Sequence, residues 1–375
     1  MNDPELIYKI GVELIPKVGS INAKKLIAYC GSAEAIFKES KKNLTRIPGI
    51  GEIIATEIAN QKVLAKAETE LKFIQKYDIK TLYFLDANYP NRLKQCEDGP
   101  VVLFTKSIRD IDFSTDKVIS IVGTRKATNY GKSICDEIVE GLAQKGYNPI
   151  IVSGLAYGID IAAHKAAIKN NLPTIAVLGH GLDIIYPSAH RNVAKEIVSN
   201  GALVTDFTSE TPFDRNNFLR RNRIIAGLSD ATLIVESAEE GGALVTADIA
   251  NSYNREVLAI PGNVTSTYSR GCNQLIKQNK AALIETAEDI EFLLGWKPNL
   301  KNTPRQTQIN FNDFSPEEKS IINYLQEQAQ GEASIDIISI QTGIPMAKAL
   351  SSLLNLEFSG VISSKPGKIF ALNTM

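Results

Sequence analysis

The middle of the chain, from residue 117 to residue 296, alternates short apolar runs with longer segments in which apolar residues recur every three or four positions. The short runs are rich in β-branched residues and predict buried strands, and the longer segments predict amphipathic helices. Strands that are apolar on both faces are typical of a parallel sheet covered by crossover helices. The pattern therefore predicts an α/β domain with a Rossmann-like, doubly wound and mostly parallel sheet. The predicted strands are KVISIVG, NPIIVSG, PTIAVLG, ALVTDF, ATLIVES, EVLAIPG and AALIE.

Residues 1–65 have a helical pattern with two similar units, LIPKVGSINAKKLIAYCG and LTRIPGIGEIIATEIAN. Each unit places a glycine-containing turn before a helix, which predicts a helix-hairpin-helix or SAM-like domain. The turn at 48–51 would present backbone amides to a phosphate at the start of the next helix. A plain helical bundle is an equal alternative, because the acidic Glu52 stands where the phosphate would approach. Residues 66–298 are expected to form one extended Rossmann-like domain, with two further strands at 81–85 and 101–104.

The C-terminal end of the chain has a different composition. Residues 299–314 are polar and rich in Pro and Asn, which predicts a linker. Residues 315–375 contain three helical patterns followed by a hairpin, the order of a winged-helix domain, with a helix-turn-helix around Thr342 and Gly343. From residue 311 onward there are 4 basic and 7 acidic side chains, and Lys348 is the one cation of the expected recognition helix. Because duplex recognition needs a dense basic face, we expect this domain to contact protein instead.

Composition and charge narrow the function classes. The chain carries 41 Lys and Arg against 42 Asp and Glu, a net charge of -1, so nucleic-acid binding would depend on local clusters of cations. Four scattered Cys without a C-x-x-C pair and three His predict no metal site and reduced thiols. There is neither a basic leader nor an apolar run of the ~18 residues that a membrane span needs. We expect a cytoplasmic protein with no cofactor and no membrane partner.

Candidate chemistry gathers at the carboxyl ends of the predicted strands, where open parallel sheets bind their ligands. Nearly every strand ends in glycine or a small polar residue, which favours close approach of the backbone to an extended ligand. The strand ends are Gly123-Thr124-Arg125, Ser153-Gly154, Gly179-His180-Gly181, Asp206, Glu236 and Pro261-Gly262-Asn263.

The first strand end argues against two nucleotide-binding motifs. A P-loop that ends in residues 131–133 needs a glycine where the chain has Lys126. A dinucleotide fingerprint that begins at Gly123 needs glycines where the chain has Arg125 and Thr128. ATP and NAD are therefore disfavoured as ligands of this loop, and its cations, Arg125, Lys126 and Lys132, remain as a cluster after the first strand.

Two further segments carry polar candidates. Four arginines stand within nine residues before an apolar helical run, where guanidiniums can grip several phosphates. A solvated helix with salt bridges to Asp214 and Asp230 is the alternative. The segment EEGGALVTADIA predicts another helix start with free amides and with Thr246 as a polar contact. The arginines are Arg215, Arg220, Arg221 and Arg223.

A catalytic interpretation of Ser153, Asp160 and His164 is weaker. Asp160 and His164 are four residues apart and share a helix face, but the glycines of a nucleophile elbow are missing around Ser153. A structural hydrogen bond between Asp160 and His164 is the favoured interpretation.

From Leu82 to about Ile290 the chain resembles the DNA-processing protein A family (DprA/Smf). The motifs that carry the resemblance are IVGTRKATNYG, SGLAYGIDIAAH, TIAVLGHGLDIIYP, RNRIIAGLSD, EGGALVTADIA, IPGNV and GCNQLI, in the order of the family. The resemblance implies a non-enzymatic role in natural transformation: binding incoming single-stranded DNA, protecting it and helping to load the RecA recombinase. It also implies a homodimer. Helical N-terminal and winged-helix C-terminal domains are common in the family.

The resemblance also implies DNA-binding positions, with Arg125 as the DNA-binding arginine. Gly241 stands where relatives usually have serine, and Leu219 where they often have proline, so the shape of the pocket is expected to differ in detail. The predicted DNA-binding residues are Gly123, Thr124, Arg125, Lys126, Lys132, Ser153, Gly154, Gly158, Gly181, Arg191, Arg221, Asn222, Arg223, Gly241, Gly242 and Thr246. The aromatic residues Tyr130, Tyr157, Tyr186 and Phe218 are candidate stacking faces, although each one taken singly is expected in the core.

Two other function classes stay open. The GGALVT turn is similar to that of nucleotide phosphoribohydrolases, for which Asp248 is the one nearby acid that could act on a ribose. A duplex-DNA regulator that works through the winged helix is the other alternative.

Overall fold

The computed structural model describes residues 4–109, 111–113, 115, 117–296, 314–328, 332–359, 361–365 and 368–372. The chain divides into two compact units, residues 1–299 and residues 300–375, which are described one at a time. Of the predicted linker, only Phe314 is among the described residues.

The first unit begins with helices that share a core with the outer strands of a large sheet. The helices are α1 Pro4–Glu13, α2 Ser20–Cys30, α3 Ala33–Lys38, α4 Lys41–Leu44, α5 Glu52–Asn60 and α6 Lys62–Lys76. Ile10 of α1 packs in one cluster with Phe104. The carboxylate of Glu13 accepts the N–H groups of Val101 and Val102, at 2.6 and 3.2 Å. Burial raises the pKa of Glu13, and these amides oppose the rise.

Within the described part of the first unit, the sheet contains nine strands. They are β1 Lys80–Tyr83, β2 Val102–Lys106, β3 Val118–Val122, β4 Ile150–Ser153, β5 Thr174–Val177, β6 Gly201–Thr205, β7 Ala231–Ile234, β8 Glu256–Ala259 and β9 Ala282–Leu283. Their order is β1-β2-β6-β5-β4-β3-β7-β8-β9. Along the part β6-β5-β4-β3-β7-β8-β9, every two neighbouring strands are parallel. At the other end of the sheet, β2 is antiparallel to both β1 and β6. The prediction of a mostly parallel sheet is confirmed.

Helices cover both faces of this sheet. They are α7 Asn91–Lys94, α8 Asn129–Gln144, α9 Ile159–Lys169, α10 Arg191–Asn200, α11 Arg215–Leu228, α12 Gly242–Ser252, α13 Arg270–Lys277 and α14 Ala287–Leu294. Side chains alternate across a strand, so Ile119 and Ile121 of β3 pack in one core with α8, α9 and α14. Val118 and Val122 pack in another core with α11, α12 and α13. The two cores confirm the doubly wound architecture.

The second unit is a winged-helix domain, as predicted. Its elements are α15 Pro316–Gln326, β10 Glu332–Ser334, α16 Ile335–Thr342, α17 Met346–Phe358, β11 Ile362–Lys365 and β12 Ile369–Leu372. The strands form a sheet in the order β10-β12-β11. Ser315 and Glu318 form a capping box that starts α15, and Gly343 takes a φ of 67° at the turn before α17.

Across the described parts of both units, no helix is by itself long and apolar enough to span a membrane. α16 and α17 meet the length and composition criteria only when taken together, and they are bent by 112° at the break between them.

Candidate nucleic-acid interface

A cleft of the first unit lies at the carboxyl edge of the sheet. The chain proceeds from β3 to β4 on one side, whereas β7 pairs with β3 on the other. Loops diverge at such a switch point and leave a crevice for a ligand. The resulting cleft of about 300 Å³ is bordered by the loop after β3, the start of α12 and the middle of α11. We call it the switch-point cleft.

Two glycines bring the loop after β3 against the start of α9. A Cβ on Gly123 would come within 2.5 Å of Ile159, and a Cβ on Gly158 would collide with the carbonyl oxygen of Thr124. Gly158 also has a φ of 81°, which favours glycine. The backbone is therefore closely packed at this point, and the side chains of Arg125 and Lys126 are exposed to solvent.

Arg125 stands beside a group of aromatic rings at the rim of the cleft. Its guanidinium carbon lies 5.9 Å from the ring centre of Phe218, a distance that allows a cation–π interaction. The centre of the Phe213 ring lies 4.8 Å from that of Tyr186 and 5.4 Å from that of Phe218. Tyr157 borders the same rim. We call Tyr157, Tyr186, Phe213 and Phe218 the aromatic rim.

The expectation that each candidate aromatic lies in the core is wrong for three of them. Tyr130, Tyr157 and Tyr186 are 47, 49 and 45% exposed, and the hydroxyl of Tyr130 donates to the carbonyl of Pro261 at 2.9 Å. Phe213, which the sequence did not single out, is 51% exposed.

Helix starts differ in whether they can accept an anion. At α8, Thr128 caps the amide of Gly131, and the carboxylate of Glu236 accepts both the amide and the hydroxyl of Thr128, at 2.9 and 2.6 Å. A protein carboxylate therefore occupies the place where a P-loop or a dinucleotide fold would hold phosphate. The start of α11 is likewise capped, by Asp214. At α12, by contrast, Gly241 and Gly242 are exposed, and no side chain among the described residues caps the helix.

The cleft is shaped from inside by three of the predicted residues, Arg221, Asn222 and Thr246. Arg221 is buried, donates to the carbonyl of Val177, and fills the space beside Gly154 that a side chain would need. Burial lowers the pKa of Arg221 to about 10, and the carboxylate of Asp160 opposes the fall. Burial likewise raises the pKa of Asp160.

Asn222 and Thr246 hold the first turn of α12. Both donate to the carbonyl of Gly242, Asn222 at 3.3 Å and Thr246 at 2.9 Å. Their polar groups therefore support the exposed amides at the cleft, and both side chains are buried.

Other predicted residues lie apart from the switch-point cleft. The hydroxyl of Ser153 is buried and donates to the carbonyl of Ile121 at 2.6 Å. Gly181 packs against the backbone at Thr208. Arg223 pairs with Asp206, and although burial alone lowers its pKa, the carboxylates of Asp206 and Glu13 hold it above its ordinary value. Arg191 is exposed at the start of α10.

The favoured hydrogen bond between Asp160 and His164 is wrong. Nδ1 of His164 lies 2.7 Å from the hydroxyl of Thr174, and a carboxylate oxygen of Asp160 accepts the amide of Ala156 at 3.4 Å. Burial lowers the pKa of His164 to about 3, so the ring is neutral in the core. The two side chains share a helix, but each finds its partner in another element.

Two lysines that the sequence did not single out lie near Arg125. Lys165 and Lys169 of α9 border a groove with Arg125, Lys126 and Lys132. The signal for them is present in the segment GIDIAAHKAAIKNN, because cations four residues apart on a helix project from one face. Within the described ranges, no group of three or more His, Cys, Asp or Glu is arranged to hold a metal ion.

Comparisons with known proteins agree with this architecture. The family DNA recombination-mediator protein A matches residues 80–294, a helix-hairpin-helix motif matches residues 7–61, and a DprA winged helix domain matches residues 304–368. The helix-hairpin-helix interpretation of the N-terminal segment is thus confirmed over the plain bundle. At the second hairpin, Glu52 pairs with Lys41 at 2.7 Å.

Similar proteins have related names. Protein Smf of Synechocystis is 30% identical over 98% of either chain, and the Bacillus subtilis DNA processing protein DprA is 39% identical over 56% of this chain and 70% of its own. The solved structure of Streptococcus pneumoniae DprA matches with a TM-score of 0.64 at 30% identity, covering 76% of this chain and 95% of that one. The Helicobacter pylori DprA structure, whose published description concerns its single-stranded DNA binding mode, matches at 28% identity with a TM-score of 0.52, over 58% of this chain and 96% of its own. The chain belongs to the DNA recombination-mediator protein A family, the DprA/Smf proteins.

Proposed function

We propose that the protein binds single-stranded DNA at the carboxyl edge of its central sheet and protects it in the cytoplasm. It helps to load the RecA recombinase, acts as a homodimer and catalyses no reaction on the DNA. The observation that carries the proposal is Arg125, an exposed cation 5.9 Å from the ring centre of Phe218 that lines the same cleft as the start of α12. The DNA processing relatives, and the Helicobacter pylori relative whose description names single-stranded DNA, support the same ligand.

The preference for single strands has a physical reason. Binding a single strand needs cations for the backbone and aromatic faces for unstacked bases. Arg125 supplies the charge, the α12 amides supply hydrogen-bond donors to phosphate, and the aromatic rim supplies exposed rings. The bases of a duplex are already stacked on one another, so a duplex cannot use the rim.

Fluorescence anisotropy with labelled single-stranded and duplex oligonucleotides over a salt series tests the proposal. We expect tighter binding of the single strand and a log-affinity that falls linearly with log salt, by ~0.7 for each phosphate contact. Arg125→Ala should lower single-strand affinity by roughly 10-fold, about 1.4 kcal/mol, because a charge-assisted contact is lost.

Arg109→Ala is the matched control. Arg109 is exposed, and it follows β2, whose antiparallel pairing with β6 puts its end at the opposite edge of the sheet. Equal affinity for both forms of DNA, or equal losses in the two arginine variants, would refute the proposal.

The position of Asp248 does not support the nucleotide phosphoribohydrolase alternative, for which it was the candidate acid. Asp248 is 60% exposed and pairs with Lys280 at 3.1 Å, and it does not border the switch-point cleft. The acids that do border the cleft are Asp160 and Glu240. Release of free base from a nucleoside monophosphate by the purified protein would reinstate the enzyme class.

The RecA step of the proposal is supported by the family resemblance. We expect the protein to shorten the lag of RecA filament assembly on a single strand that is already coated with single-strand-binding protein. Arg125→Ala should lose this effect together with DNA affinity. An unchanged lag with the wild-type protein would remove RecA loading from the proposal and leave DNA binding in place.

A further inference from the structure

A second basic surface adjoins the switch-point cleft. It is a groove of about 860 Å³ between α8 and α9, and we call it the α8–α9 groove. Five cations border it, with Asp136 as the one acid among its lining residues. The cations are Arg125, Lys126, Lys132, Lys165 and Lys169.

Most of these cations are available to a ligand. Lys169 pairs with Asp136 at 2.7 Å and reaches Glu140 at 3.6 Å. Lys126, Lys132 and Lys165 are exposed and have no ion pair with any part of the chain that the structure describes. The groove therefore keeps an excess of positive charge, although the whole chain has a net charge of -1.

The groove and the cleft adjoin at Arg125. Arg125 borders both, and Tyr157, which belongs to the aromatic rim, also borders the groove. A polymer that leaves the cleft beside Arg125 thus enters the α8–α9 groove directly. From there α9 extends for 11 residues, roughly 16 Å at the rise of an α-helix.

We propose that the α8–α9 groove holds a second stretch of the same DNA single strand, through phosphate contacts with Lys126, Lys132, Lys165 and Lys169. This inference rests on the proposed function and extends it from one cleft to a path. Lys165 and Lys169 lie one helical turn apart on α9. Lys165 has no ion pair among the described residues, and Lys169 would exchange its exposed pair with Asp136 for a phosphate. Because Tyr157 is the one ring among the groove residues, contacts there are electrostatic and independent of sequence.

The test compares oligothymidylates of two lengths, about 6 and about 30 nucleotides, the longer of which exceeds the roughly 4–16 nucleotides that one single-strand-binding fold covers. In Lys165→Ala/Lys169→Ala we expect the long strand to lose roughly 10-fold in affinity and the short strand to lose much less. The salt slope for the long strand should shrink by ~1.4, which is ~0.7 for each lost contact.

Two variants sharpen the test. Lys62→Ala/Lys66→Ala removes two exposed lysines with the same spacing from α6, so it controls for net charge and should leave both affinities unchanged. Asp136→Asn should tighten long-strand binding, because it removes the acid that lines the groove. Equal losses for the two lengths, or a slope that stays the same, would overturn the groove proposal.

Failure of the groove and failure of the proposed function give different results. If Arg125→Ala weakens both lengths while the α9 lysine pair changes neither, the cleft binds DNA and the groove proposal alone is refuted. If neither oligonucleotide binds the wild-type protein, the proposed function itself is refuted, and the groove proposal fails with it.

Discussion

Gly154 and Gly242 both border the carboxyl edge of the sheet, but a side chain would meet different surroundings at each. A Cβ on Gly154 would collide with the guanidinium of Arg221, whereas on Gly242 its nearest neighbour would be Nδ2 of Asn222 at 3.9 Å. Gly154 is therefore required by packing inside the protein. At Gly242 a Cβ would meet no contact closer than 3.9 Å, which leaves the room that a ligand approaching the α12 amides would need.

We predict that Gly242→Ala lowers single-strand affinity without lowering stability. Alanine at the start of a helix keeps or raises the free energy of unfolding, by up to about 1 kcal/mol, while its methyl group stands between the amides and a phosphate. Denaturant unfolding and anisotropy on the same protein check the two halves of the prediction. Gly154→Ala is the contrasting variant and should destabilise by about 1–3 kcal/mol through overpacking. Full affinity in Gly242→Ala would show that the start of α12 does not contact DNA.

Three arginines, Arg125 after β3 and Arg221 and Arg223 on α11, show which properties of single residues can be predicted from the sequence. The place of Arg125 at a strand end was predictable, because the carboxyl edge follows from the parallel pattern. The burial and pairing of Arg221 and Arg223 were not predictable, because their partners lie in other elements. Val177 is in β5, and Asp206 follows β6. Neighbouring arginines on one helix point in different directions, and only the fold decides which are buried.

The local sequence does not predict which helix starts can bind an anion. The Gly-Lys-Ser ending at residues 131–133 resembles an anion site, yet Glu236, which follows β7, fills the start of α8. The open start of α12 was signalled by Gly241 and Gly242. A sequence pattern thus located the helix starts, but the capping of α8 depends on a residue 108 positions away.

In the winged-helix unit, α17 is the expected recognition helix, and its outer face is apolar. Met346, Leu350 and Leu354, four residues apart, are 43 to 44% exposed, and Lys348 is paired with Glu317 at 2.6 Å. Duplex DNA binding uses cations and polar groups on this helix. The arrangement supports the prediction that the unit contacts protein.

We accordingly predict that ending the chain at residue 296 leaves duplex affinity unchanged within about twofold, since phosphate contacts dominate such binding and few are available in the second unit. Anisotropy with a duplex oligonucleotide compares the full and the shortened chains. Equal single-strand affinity in both serves as the control that residues 1–296 remain folded. A large loss of duplex affinity on shortening would favour the duplex-regulator alternative.

At the scale of the whole molecule, the fold was predictable because strand pattern, helix pattern and turn residues all indicated the same layers. The functional surface was less predictable, because it is assembled from separate parts of the chain. Arg125, Phe218 and Gly242 come together only when β3, α11 and α12 pack around the switch point. A net charge of -1 likewise gave no sign of the basic groove beside them.

The homodimer is a prediction about the whole molecule for which the structure suggests a surface. On α14, Phe292 is 85% exposed and Leu293 is 39% exposed. The preceding element is the edge strand β9, in which Leu283 is 48% exposed. Exposed apolar groups at an open sheet edge favour association.

We expect light scattering at micromolar concentration to give twice the 41.0 kDa chain mass for the wild-type protein. Phe292→Arg should give the monomer, because the new charge would be buried without a partner in the dimer. Ile53→Arg, at a 62% exposed position in the helical segment, should remain dimeric. A wild-type monomer would contradict the homodimer, and a dimeric Phe292→Arg would exclude this surface as its interface.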